Sequence, residues 1–214
     1  MIEFKKWPKT PRLFRDITIT EKIDGTNAAV IIQHVPDGPS PKDYWDDNTM
    51  TALVSAQPEG WMQAGDFIVA AQSRNRIITP TSDNAGFALW VWENAEKLVE
   101  ILGEGYHYGE WWGSGIQRGY GMEKGVKHFS LFNAHRHAGI YSRSGGLLDH
   151  VPTLYQGPFS TYIVNGVLDK LEHFGSTAAP GFKRPEGIVV YHSASKQVFK
   201  ALLESDDKPK GLVA

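Results

Sequence analysis

EKIDGTNAAVII, residues 21–32, is the stretch on which the reading of this chain turns. Asp24-Gly25 is a turn signal, and its flanks, ITIT (17–20) and AAVII (28–32), are rich in β-branched residues and read as strands. Lys22 therefore ends one strand at the lip of a tight loop. Taken alone, a lysine there is a solvated charge that blunts a strand end. Whether it is more depends on what the rest of the chain sets beside it.

The whole chain narrows the choice. Its 214 residues are enough for one large domain or two small ones and for a real core. A chain 41% hydrophobic and 21% charged has an ordinary globular composition, and no apolar run approaches a membrane span. The start, MIEFKKWPKTPRLF (1–14), has no apolar core of the kind a signal peptide needs. The absence of cysteine excludes disulfides, cysteine zinc sites and a thiol nucleophile, and fits a reducing cytoplasm. A net charge of −2 with pI near 6.4 excludes a surface coated in basic charge, so any nucleic-acid contact must come from a local patch.

Along the chain, HVPDGPSPKDYWDDNT (34–49) reads as a surface loop and FIVAAQSRNRIITP (67–80) as a strand running into a basic turn. Asp83 is placed to cap a helix in NAGFALWVWENAEKLVEILG (84–103), where Leu98, Ile101 and Leu102 recur at helical spacing and Gly103 is a stop. HYGEWWG (107–113) and KHFSLFNA (127–134) read as strands around a glycine-rich loop, SGIQRGYG (114–121). TLYQGPFSTYIVNGVLDKLEHFG (153–175) reads as a turn and then a helix, and EGIVVYHSASKQVFKALLE (186–204) as two strands meeting at a turn. With no repeat and no low-complexity linker, the pattern predicts one α+β domain over 1–214 with mainly antiparallel strands, because hairpin-like pairs outnumber βαβ units.

Several groups could carry chemistry. The glycine-rich loop lacks GK[ST] and the spacing of a dinucleotide fingerprint, so it reads as a flexible loop beside a site. His128, His135 and His137 could suggest a metal, with HRH on a strand placing two imidazoles on one face, but no third ligand is evident and ordinary surface histidines are the better reading. Glu110 and Glu186 lie within or at the start of apolar strand-like runs, where an unpaired carboxylate is costly. Either each belongs to a structural ion pair, or each is aimed at a magnesium ion or a sugar hydroxyl. Arg74 in SRNR and Lys200 in VFKALLE are cations in similar settings.

Taken in order, these segments resemble the covalent nucleotidyltransferase superfamily of ATP-dependent DNA and RNA ligases and mRNA-capping enzymes. KIDG (22–25) matches its Lys-x-Asp-Gly nucleophile motif, and SRNR (73–76) is similar to the arginine motif that follows. YGEW (108–111), FSLFN (129–133), EGIVV (186–190) and VFKALLE (198–204) are similar to the later motifs. Asn27 after KIDGT is similar to the nick-sealing RNA ligases of the phage and RNA-editing type. The likeness spans residues 17–204 and implies an adenylation domain of mainly antiparallel sheets with flanking helices and a nucleotide cleft between them.

The resemblance also implies a mechanism. Lys22 would attack the α-phosphate of ATP and form lysyl-AMP. A free lysine has a pKa near 10.4, so this needs a neighbouring cation and partial desolvation to free the lone pair. Lys200 would supply that cation and hold the α-phosphate, and Glu186 would be the carboxylate beside Mg2+. Glu110 would take the ribose hydroxyls, and Phe132 would stack on adenine, a contact worth ~1–3 kcal/mol. Arg74 would bind ribose or phosphate, Asn27 would line the nucleotide, and Glu21 and Ile23 would offer backbone groups to the adenine edge. AMP would then pass to a 5′-phosphate, and a 3′-hydroxyl would displace it to join RNA. Arg118, Lys124, Lys127, Lys183 and Arg184 are candidate RNA contacts.

The sequence departs from the superfamily twice. Its last motif usually reads Lys-x-Lys, but Val198 and Leu202 flank Lys200 at that spacing; Lys196, Lys208 and Lys210 are the substitutes at hand. Only 14 residues follow Lys200, too few for an OB-fold or other C-terminal domain, which leaves room for a partner protein to replace it. A minimal DNA ligase core, a capping-type guanylyltransferase and a non-catalytic protein that binds nucleic-acid ends remain as alternatives.

Overall fold

The computed structural model describes residues 2–34, 61–64 and 66–204. The loop expected over 34–49, beyond His34, and the tail lysines Lys208 and Lys210 lie outside the described residues. The expected α+β class is found: two mostly antiparallel sheets with few helices. The chain divides into two compact units, residues 1–22 with 152–214, and residues 23–151.

The first unit is built on β1 (Asp16–Lys22), β9 (Thr153–Pro158), β10 (Gly187–His192) and β11 (Gln197–Leu202), in the order β11-β10-β1-β9. Burial alternates along β1: Ile17, Ile19 and Glu21 are buried, while Thr18, Thr20 and Lys22 are half-exposed. This period of two sends the isoleucines to a core shared with Ile188, Val190 and Leu171 of the helix Thr161–Phe174, here α4. It sends Lys22 to the opposite face. The structure differs from expectation at 153–158, read as a turn and found as β9; Gly157 and Pro158 suggested the turn, but on this edge strand a proline costs no central ladder bond.

The second unit has a larger sheet. Its path runs β3 (Trp61–Ala64), β4 (Phe67–Ser73), β2 (Thr26–His34), β6 (Gly105–Gly113), β7 (Lys127–Leu131) and β8 (Asp149–His150), with the short β5 (Ile77–Ile78) paired to β4. Among the described residues, only β7 and β8 pair in parallel. One face is packed by α1 (Phe87–Glu93) and α2 (Ala95–Leu102), which bury Phe87, Val91 and Leu98 against Val30, Ile32, Val69 and Phe129. A single helix was expected over this stretch; Asn94 interrupts it, its side-chain amide donating to the carbonyl of Trp90. Asp83 does cap it, its carboxylate accepting the backbone N–H groups of Ala88 (2.8 Å) and Leu89 (3.1 Å). A short helix, α3 (Ile140–Arg143), precedes β8.

Candidate active site

In the first unit, β1 ends at Lys22, which lies opposite Gly187 at the start of β10. That register sets Glu186 just beyond the ladder, and its Oε2 accepts a hydrogen bond from Lys22 Nζ at 2.6 Å. Neither side chain is fully buried, at 24% and 12% exposure, so the pair remains open to an incoming ligand.

Lys200 on β11 lies opposite Val189, which lies opposite Thr20. Since Thr20 and Lys22 share a face, Lys200 projects from that same face. Two strand spacings and two residues separate the lysines, about 10 Å across and about 7 Å along the sheet. Stems as long as a lysine's can converge over that span on one bound phosphate. Val198, one of the two positions at the Lys-x-Lys spacing from Lys200, also lies on this face and is exposed. Lys196 sits in the β10–β11 turn with φ 56, its backbone N–H bonded to the carbonyl of His192.

Glu21 plays a part that the sequence did not reveal. Its backbone N–H donates to the carbonyl of Pro152 (2.9 Å), and its carboxylate is buried at 1% exposure. That carboxylate accepts from Ser176 Oγ (2.6 Å) and the backbone N–H groups of Thr177 (2.8 Å) and Ala178 (2.9 Å). Three donors satisfy a buried charge that would otherwise be costly. They also tie the loop after α4 to the residue next to Lys22. No sequence motif marks residues 176–178; the one available signal is a glutamate in a strand position that the alternation assigns to the core.

In the second unit, Ile23 is buried, and the turn Asp24-Gly25 is held from two sides. The backbone N–H of Asp24 donates to the hydroxyl of Tyr120 (2.8 Å), and Arg118 Nε contacts the Asp24 carboxylate at 3.1 Å. Tyr120 is 2% exposed and packs edge-on against Trp112. The glycine-rich loop, expected to be flexible, is thus a packed brace for the turn. Gly25 is required by proximity: a Cβ there would lie 2.5 Å from the carbonyl oxygen of Trp111 and 2.8 Å from Trp112 Cβ.

Glu110, 7% exposed, accepts from the backbone N–H of Gly25 (3.1 Å) and from Asn27 Nδ2 (2.7 Å). Arg74 closes the row, donating from Nε (3.1 Å) and Nη2 (2.6 Å) to Asn27 Oδ1. Asn27 lies directly opposite Glu110 in the β2–β6 ladder, so register alone brings them together. Phe132 follows β7 with 37% exposure, its N–H bonded to the carbonyl of Tyr108; the β6–β7 register, in which Ser130 faces Glu110, puts Phe132 on the Glu110 face.

Several expected nucleic-acid contacts have local partners. Besides Arg118, Lys127 Nζ donates to the carbonyl of Ala85 (2.8 Å) and Lys183 Nζ to that of Phe174 (3.1 Å). Arg184 and Lys124 are exposed. The segment HRH lies in a turn, with His137 buried and His135 exposed, so the strand-face geometry imagined for it does not arise. His137 instead meets buried His107, ring centroids 6.3 Å apart. Burial pushes His137 down to about 4, helped by the charges of Arg136, His107, His150 and Arg143. Among the described residues, no group of three or more His, Asp or Glu could hold a metal, and no helix is long and apolar enough to cross a membrane.

Three similar solved structures are variants of the RNA ligase of Naegleria gruberi. One, with AMP and manganese, has a TM-score of 0.55 at 18% identity. Two others, with ATP and manganese, have TM-scores of 0.53 and 0.52 at 18% identity. Each match covers 89% of this chain and 50% of the other, so the chain spans half the length of these structures, and the likeness is one of fold. No curated protein matches the chain. The model of the RNA ligase family matches residues 15–202, nearly the whole chain, and the chain therefore belongs to the RNA ligase family.

Proposed function

We propose that this chain is an ATP-dependent RNA ligase that works through a lysyl-AMP intermediate, and that both compact units belong to one nucleotidyltransferase domain. The observation that carries the proposal is Lys22 at the end of β1, paired with Glu186 and sharing its sheet face with Lys200. Family membership and the ATP- and AMP-bound relatives support the same reading.

In this reading Lys22 Nζ attacks the α-phosphate of ATP. The new bond is N–P; the bond broken joins the α-phosphorus to the oxygen bridging to the β-phosphate, and pyrophosphate leaves. The amine must first lose its proton, since an ammonium has no lone pair. Lys200 binds the α-phosphate and stabilises its developing charge. Glu110, Asn27 and Arg74 form a preorganised polar row for the ribose, Phe132 offers a ring to adenine, and Ile23 and Glu21 flank the nucleophile. AMP then moves to an RNA 5′-phosphate, and a 3′-hydroxyl displaces it as the strands join.

Glu186 is a carboxylate with part of its surface open beside Lys22, and carboxylate oxygens suit a hard divalent cation that arrives with the phosphates of its nucleotide. Glu186 is the residue that would hold such a cation, magnesium by preference. When bound, the cation supplies charge neutralisation at the phosphates. The cysteine-free sequence leads us to place the enzyme in the cytoplasm.

The test is incubation with labelled ATP and a divalent cation, followed by denaturing electrophoresis. The expected result is an acid-labile label on the chain that disappears in Lys22→Ala. A labelled Lys22→Ala protein would overturn the assignment, and labelling by GTP in preference to ATP would point to a guanylyltransferase instead.

A further inference from the structure

The net charge of −2 hides an asymmetry. Residues 1–15 hold five cations, Lys5, Lys6, Lys9, Arg12 and Arg15, against one carboxylate, Glu3. The other 199 residues hold 17 cations and 23 carboxylates. The local basic patch that the composition demands of any nucleic-acid binder is therefore concentrated at the start of the chain.

Residues 2–15 are exposed throughout and carry aromatic rings between their charges. Phe4 is 92% exposed, Trp7 86% and Phe14 77%. Residues 2–12 form no helix or strand. Yet the segment is fastened at its root. The carbonyl of Leu13 meets His192 Nε2 at 2.7 Å, that of Arg15 accepts from the N–H of Phe159 (3.0 Å), and that of Asp16 accepts from Ser193 (3.0 Å). The Phe14 ring lies 6.2 Å from that of Phe159. Pro8 and Pro11 fix φ at two positions and push Trp7 and Thr10 towards extended backbone. Part of the cost of ordering the arm is thus already met.

We propose that residues 4–14 are a docking arm for single-stranded RNA. The proposal rests on the reading of the chain as an RNA ligase and identifies where its polynucleotide is gripped. Cations spaced between rings match a strand whose phosphates alternate with stackable bases. The prolines deny the arm the continuous amphipathic helix with which peptides lie on membranes. Charge this dense also suits a polyanion better than the apolar groove of a protein partner.

The test uses the full chain and a tagged, 5′-phosphorylated single-stranded oligoribonucleotide, titrated across a range of salt concentrations. The variants are a quadruple Lys5→Gln, Lys6→Gln, Lys9→Gln, Arg12→Gln and a double Phe4→Ala, Trp7→Ala. Melting curves should match the parent, since these side chains make no core contacts. The quadruple variant should weaken binding at least about tenfold and flatten the slope of log K on log salt by roughly 3, four contacts at about 0.7 each. The double variant should weaken binding about tenfold with the slope kept. Unchanged affinity in both variants would overturn the proposal. So would a loss confined to phosphatidylserine vesicles, which would make the arm a membrane anchor. Oligonucleotide affinity does not depend on ATP chemistry. A chain that bound RNA through the arm but formed no lysyl-AMP would overturn the ligase reading and leave the arm standing.

Discussion

Lys22 Nζ lies 2.6 Å from Glu186 Oε2, and the pair is set by a ladder in which Lys22 faces Gly187. That contact holds the amine in place at the end of its strand. In the proposed reaction Glu186 would hold the amine there and, with nucleotide bound, would offer an oxygen to the divalent cation. Lys22→Ala and Lys22→Arg should both abolish the AMP adduct, the second because a guanidinium stays protonated. Glu186→Gln should slow adduct formation by at least about a hundredfold, the scale for losing a preorganised charge. Circular dichroism should show the fold kept. Adduct formation at the parental rate in Glu186→Gln would sink this role.

Lys200 carries the same expectation from a different position. It lies on the Lys22 face but two residues out of line, and no lysine stands two positions from it. Lys200→Ala should also slow labelling at least about a hundredfold. Normal labelling would shift the phosphate contact to Lys196 or to a tail lysine, and Lys196→Ala then separates those two.

Asn27 is a coupler, since it donates to Glu110 and accepts from Arg74. Asn27→Ala should leave the β2–β6 ladder intact, because that ladder is backbone, while releasing both neighbours. The expected outcome is a rise in the KM for ATP of about tenfold, the loss of one or two positioned hydrogen bonds, with a smaller fall in kcat. Asn27→Asp should be worse, since it sets a second carboxylate against Glu110. An Asn27→Asp enzyme with parental KM would show that the row does not touch the nucleotide.

Much of this was legible in the sequence, for reasons that can be named. β1, β2, β6 and β10 were found because alternation and β-branched runs are local signals, and Asp24-Gly25 marked the turn. The motifs that single out Lys22, Glu186, Asn27, Arg74 and Glu110 are short and ordered, and the structure brings Lys22 to Glu186 and Asn27 to both Glu110 and Arg74. The Glu21 carboxylate was missed because its partners lie 155 to 157 residues away, and no local pattern records a contact of that range. The glycine-rich loop was misjudged because glycine reads as freedom, whereas Ile116 and Tyr120 anchor the loop in packed surroundings. The strand at 153–158 was read as a turn because edge strands tolerate the glycine and proline that mark turns elsewhere.

His137 makes stability depend on pH. Its folded-state pKa of about 4 lies below the ordinary 6.5, so protons bind the unfolded chain more tightly. His107 is lowered too, chiefly by burial; its Nε2 meets the carbonyl of Gly103 at 2.9 Å, and its buried Nδ1 has no partner to welcome a proton. Stability should therefore be level above about pH 6.5 and should fall as pH drops towards about 4. Urea midpoints taken at about pH 7 and about pH 5 check this, and His137→Gln should flatten the difference between them. An equal fall in His137→Gln would assign the acid sensitivity elsewhere.

Tyr120 tests whether the glycine-rich loop serves the nucleophile. Its hydroxyl accepts the N–H of Asp24, two residues from Lys22, while its ring fills space beside Trp112. Tyr120→Phe keeps the ring and removes only the oxygen. A partly buried N–H left without its acceptor costs about 1–3 kcal/mol, so the melting temperature should fall by a few degrees. The turn should also hold its shape less tightly, and a misplacement of about an ångström at a reacting centre can cost on the order of a hundredfold in rate. Self-adenylylation should therefore slow by more than the loss of folded protein explains. Gly25→Ala strikes the same turn from the other side, because its Cβ would meet the backbone of Trp111, which cannot move aside as a side chain could. It should lower both stability and rate more than Tyr120→Phe. If Tyr120→Phe melts early but adenylylates at the parental rate per folded molecule, the loop is a structural brace alone. If neither quantity changes, the Asp24–Tyr120 contact does not hold the turn.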